Sequence, residues 1–72
     1  MDHVYAQKQR FVDGKLAPFI EALSHGAVEG LEYELAKEEE FVLVKYRNRH
    51  TRQVCVTGDS LKALTLDVLR VV

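Results

Sequence analysis

Seventy-two residues with ten lysines and arginines against eleven aspartates and glutamates, a formal net charge of −1, make one domain with no global pull toward nucleic acid or an anionic membrane. A chain this short buries only about 60% of the surface its unfolded form exposes, so its core is small, and domains of this size often add a disulfide, a metal or a partner subunit. The lone Cys55 excludes a disulfide within the chain, and His3, His25 and His50 are scattered without spaced acidic or thiol companions, so a metal is not expected and a partner subunit stays open.

Residues 3–25 carry a helical period, with Val4, Phe11/Val12, Leu16, Phe19/Ile20 and Leu23 recurring at steps of three, four or seven. Gly14 and Pro18 interrupt it. The ring of Pro18 would crowd the carbonyl of Gly14, and it offers no N–H. Two outcomes fit. Either one helix kinks near Gly14, or a first helix ends at Asp13-Gly14 and a second starts at Lys15 with Pro18 in its first turn. The unbroken apolar phase slightly favours the kinked helix. Ser24-His25-Gly26 is the stop, with Gly26 suited to a left-handed cap.

Residues 31–36 alternate, with Leu31, Tyr33 and Leu35 on one face and Glu32 and Glu34 on the other, as in a half-buried strand. Lys37-Glu38-Glu39-Glu40 reads as a charged turn. Residues 41–47 form a second strand and 52–57 a third. A three-residue loop, Asn48-Arg49-His50, pairs Val44 with Val54 and Val42 with Val56 and keeps apolar partners together. Gly58 then lets the chain turn, and Asp59 is the expected N-cap of a helix running to about Arg70. On that helix Ser60, Lys62, Asp67 and Arg70 share one arc. Leu61, Leu64, Val68, Val71 and Val72 fill the opposite one, with Leu66 and Leu69 on its flanks. This apolar arc is wider than the roughly 100° that one core contact needs.

The expected fold is therefore α+β: helix, a three-stranded antiparallel meander, helix. Both helices should lie on the sheet face bearing Leu31, Tyr33, Leu35, Val42, Val44, Tyr46, Val54 and Val56. No apolar run approaches the roughly 20 residues of a membrane span, so no membrane partner is expected. Met1-Asp2-His3-Val4-Tyr5 lacks the basic and apolar regions of a signal peptide. A lone cysteine suits a reducing, cytoplasmic setting.

Four candidate sites stand out. The tip Lys45, Arg47, Arg49, His50 and Arg52, with Tyr46 and Asn48 interleaved, could sit on phosphates. Against this, Lys45 and Arg47 stand opposite Glu32 and Glu34, which disfavours nucleic acid. The acidic segment Glu29, Glu32, Glu34, Glu38, Glu39 and Glu40 has no metal-site spacing, and its turn residues should behave as exposed carboxylates. Cys55 lies on the outer sheet face beside Leu43, out of reach of His50, and reads as a small apolar filler. Finally, Phe41, Leu43 and Cys55 form an apolar spot on that outer face. Together with Leu66 and Leu69 it suggests self-association or a protein partner. No nucleophile–base pair, phosphate loop, cofactor motif or small-molecule site is visible, so the chain reads as a non-enzymatic accessory or interaction domain.

The runs Val44-Lys45-Tyr46-Arg47-Asn48, Val54-Cys55-Val56-Thr57-Gly58-Asp59-Ser60-Leu61-Lys62-Ala63 and Asp67-Val68-Leu69 resemble short uncharacterised proteins of prophages and mobile elements of Gram-positive bacteria. That resemblance implies no activity. In topology alone the chain is similar to double-stranded-RNA-binding domains, which also run helix, three strands, helix. Their second helix opens on a lysine cluster that grips phosphates. Here that position reads Asp59-Ser60-Leu61-Lys62, with an acid and one lysine.

Overall fold

The computed structural model describes residues 3–72, with His3 and Val4 described by backbone alone, so the expectations for the side chains of His3 and Val4 lie outside the described residues. A first helix runs through α1 (His3–Phe11), a π-helical turn (Val12–Leu16) and α2 (Ala17–Leu23). Then come β1 (Val28–Ala36), β2 (Glu39–Tyr46), β3 (Thr51–Cys55) and α3 (Leu61–Leu69). The strands pair antiparallel in the order β1-β2-β3. The fold is α+β, as the periodicities predict.

The first helix is a single element. Ala17 donates its N–H to the carbonyl of Val12, five residues back, which widens the turn ahead of Pro18. The wide turn gives the proline ring room without breaking the helix. It also re-phases the residues beyond it. The buried face continues Val12, Leu16, Ile20, while Phe19 and Leu23, expected in the stripe, are each 52% exposed. The helix ends with bonds from Gly26 to Glu21 and from His25 to Ala22, so His25 (φ 57) holds the left-handed position and Gly26 (φ 85) comes directly after it.

β1 starts three residues before the alternating run, at Val28, because a bulge at Glu29 hides the earlier part of the pattern. The β1–β2 turn is tighter than expected. Ala36 pairs with Glu39, leaving Lys37 (φ 52) and Glu38 (φ 68) as a two-residue turn and placing Glu39 and Glu40 in β2. At the other hairpin the loop has three residues, but they are Arg47-Asn48-Arg49. That shift of one residue moves the register by two. Val42 therefore pairs with Val54, and Val44 with Arg52, in place of the expected Val44–Val54 and Val42–Val56 pairs. A two-residue slip keeps every side chain on its face, so alternation could not separate the two registers. The turn does: Arg49 N–H donates to Tyr46 O, Tyr46 N–H donates to His50 O, and Arg49 takes the left-handed conformation (φ 76) that closes such loops.

One core joins both helices to one sheet face: Val12, Leu16 and Ile20 from the first helix, Leu64 and Val68 from α3, and Val28, Leu31, Tyr33, Val42, Val44, Val54 and Val56. Leu35 shares their parity but is 46% exposed, because it sits at the hairpin end, opposite Glu40. Tyr46 is half-buried against the core. Ser60, not Asp59, caps α3, its Oγ accepting from Ala63 N–H at 3.0 Å. Gly58 is needed for closeness: a Cβ there would stand 2.6 Å from the Ala63 Cβ.

Candidate functional site

Two charged groups lie inside the covered face. Lys8, 1% exposed, donates from Nζ to Glu40 Oε1 at 2.6 Å and to Gly58 O at 3.2 Å. Tyr33 Oη donates to the same Oε1 at 2.8 Å. The first helix, β1 and β2 thus meet on one carboxylate, and the Lys8 ammonium ties in the β3–α3 loop through Gly58 O. Burial first, and then the hydrogen bond and charge of Glu40, hold the Tyr33 phenol well above its ordinary value. One residue before Gly58, Thr57 donates its N–H at 2.9 Å and its Oγ1 at 3.0 Å to Asp67, which is 7% exposed.

Both findings correct the expectations from sequence. Glu40 is a strand residue with buried partners rather than an exposed turn carboxylate. Asp67, placed on the polar arc of α3, points inward and closes the end of β3. The signals were present. Lys8 stands four residues from both Val4 and Val12, where the apolar stripe has a gap, and Glu40 has the parity of Val42 and Val44. Among the described residues every buried side-chain polar atom has a hydrogen-bond partner, and no group of three or more His, Cys, Asp and Glu is placed to hold a metal. On the inner side, then, the buried polar groups among the described residues are engaged with one another.

The outer face is different. The register sets Glu34, Phe41 and Cys55 in one row, Glu32, Leu43 and Gln53 in the next, and Gly30, Lys45 and Thr51 in the third. Phe41 and Leu43 stand on the central strand, partly covered by their neighbours, and Cys55 is exposed. Lys45 Nζ reaches Glu32 Oε1 at 3.0 Å, the cross-strand pair the alternation predicts. Leu66 and Leu69 belong elsewhere. They lie on α3, on the other side of the sheet, with Leu66 45% exposed and Leu69 packed against the core. The five residues named as candidates for association thus lie on two surfaces, as expected from both helices sharing the inner face.

The basic residues do come together. Arg47, Arg49, His50 and Arg52 are exposed at the β2–β3 tip, and among the described residues none of them forms an ion pair. Arg47 is not held by Glu34, which pairs with Phe41 further along the ladder. Instead its N–H donates to Ala27 O at 2.9 Å, and its guanidinium lies over Gly26, where a Cβ would stand 2.9 Å from Nη2. Among the described residues no helix is long and apolar enough to cross a membrane. Compared with known protein families, with curated proteins and with solved structures, the chain finds no match.

Proposed function

We propose that this domain is a non-enzymatic association module whose outer sheet face receives a second copy of the chain. One observation carries the reading: Phe41 and Leu43 occupy the centre of a face that neither helix covers. The register makes that face self-complementary. A two-fold axis through Leu43, perpendicular to the strands, sets Leu43 against its own copy. It also brings the Glu34–Phe41–Cys55 row over the Gly30–Lys45–Thr51 row of the second molecule. Glu34 and Phe41 then meet Lys45, a charge pair and a cation–π contact. Such a contact also relieves the shortage of core that the chain's length imposes.

Three strands about 4.8 Å apart, of nine, eight and five residues, present at most roughly 15 by 25 Å. That is below the roughly 800 Å² per partner of a standard interface, so the association belongs in the micromolar range. Sedimentation equilibrium should show mass above the monomer at micromolar concentration, and Leu43→Lys should return it to the monomer. A clean monomer at about 100 μM, where an interface of −8 kcal/mol is almost fully populated, contradicts the proposal.

A further inference from the structure

At the base of the β2–β3 tip lies a shallow, open hollow of about 290 Å³ lined by Ala27, Tyr46, Arg47 and Asn48. This is the low end of ligand-site volumes, room for one planar ring and little more. The residues that line it carry an aromatic ring, a guanidinium and an amide. We infer that the hollow and the arginines around it bind a segment of single-stranded nucleic acid, with one base stacked on Tyr46 and phosphates on Arg47, Arg49 and Arg52.

Several features converge on this assignment. The hollow is preorganised, because the Arg47 backbone is tied to Ala27 and its guanidinium rests on Gly26. The charges are also segregated. Glu38 and Glu39 stand at the opposite end of the sheet, roughly 25 Å away along β2, and Glu34, opposite Phe41, roughly 17 Å away, all beyond the screening length of about 8 Å at physiological salt. Glu32 is held by Lys45. Of the β1 acids, Glu29 in the bulge remains at the basic end. An unpaired base can enter the hollow and a paired one cannot, so single strands are favoured over duplexes.

Three phosphate contacts give weak, salt-sensitive binding. For single strands they imply a slope of about −2 in log K against log salt, or roughly a 20-fold loss between 50 and 200 mM. The test is fluorescence anisotropy with labelled ten-residue oligo-uridine and oligo-thymidine, against a duplex of equal length and inorganic polyphosphate. The single strands should bind at tens of micromolar in 50 mM salt, the RNA and DNA arms identifying the source. Arg49→Glu with Arg52→Glu, both exposed, should abolish binding. Tyr46→Leu, which keeps apolar packing, should lower affinity about fivefold or more. Glu29→Gln should strengthen it. Circular dichroism reports whether each variant is folded. No binding of either single strand at about 100 μM overturns the inference. So does polyphosphate binding as tightly as the oligonucleotides while Tyr46→Leu changes nothing.

Discussion

On the inner face of the sheet Glu40 holds Lys8 at 2.6 Å, with the two side chains 14% and 1% exposed. On the outer face Glu32 holds Lys45 at 3.0 Å, with both about half exposed. The pairs share their chemistry and almost their length, yet they have different consequences. Outside, water already solvates each ion, so the contact adds at most about 1 kcal/mol and is screened by salt. Inside, attraction is stronger but desolvation offsets it, so the pair contributes little net while the loss of one partner is severe. The buried pair therefore fixes how the first helix, β1, β2 and the β3–α3 loop meet, and the exposed pair leaves its face free to be covered. The covered face is saturated and intolerant of change, whereas the open face is tolerant and available.

The largest effect should come from Glu40→Ala, which strands the Lys8 ammonium in the core and costs about 3–5 kcal/mol in urea denaturation. A single core in a domain this small rarely supplies more than about 3–5 kcal/mol, so the variant should be largely unfolded. Combining Lys8→Met with Glu40→Gln removes the charge and keeps an acceptor for Tyr33, so most of the loss should return. Next comes Asp67→Ala, which leaves Thr57 N–H without its acceptor and should cost about 1–3 kcal/mol.

Tyr33 gives the domain an alkaline limb. Its phenol is raised above the unfolded value near 10, so the native state holds a proton that the unfolded state gives up. Stability from this group is fully present below about pH 10 and falls as pH rises beyond it. Tyr33→Phe should flatten that limb in pH-dependent unfolding. The smallest effect belongs to Glu32→Gln, expected within about 1 kcal/mol of the parent and smaller still at high salt. A larger loss would break the contrast between the two faces.

Element order, strand faces and helix ends were legible because each rests on a local period or a cap. The register of the β2–β3 hairpin was not. Two registers two residues apart give the same faces, and only the placement of Arg49 in the left-handed conformation decides between them. The tight turn at Lys37-Glu38 was hidden for a related reason, since neither residue is a usual choice for positive φ. Phe19 and Leu23 were misplaced because the π-turn before Pro18 re-phases the helix, which no simple period anticipates. Of the candidate sites, the basic tip and the outer-face position of Phe41, Leu43 and Cys55 were readable, but Cys55 pairs with Phe41 and not with Leu43 as expected, a consequence of the same two-residue register shift. The separation of Leu66 and Leu69 from them was readable too, since both helices were expected on the face opposite Phe41, Leu43 and Cys55. Lys8 left a trace, a polar residue in an apolar stripe, whose meaning depended on Glu40 being a strand residue.

The contrast between the faces is tested most directly by amide NMR spectra of the intact chain over a dilution series from about 500 to 20 μM. Shifts that move with concentration should cluster at Glu32, Glu34, Phe41, Leu43, Gln53 and Cys55, with Lys8, Val12 and Leu64 unmoved. Spectra that do not change, or changes confined to the exposed helix positions Phe19, Leu23 and Leu66, would contradict the assignment of the outer sheet face as the surface of association.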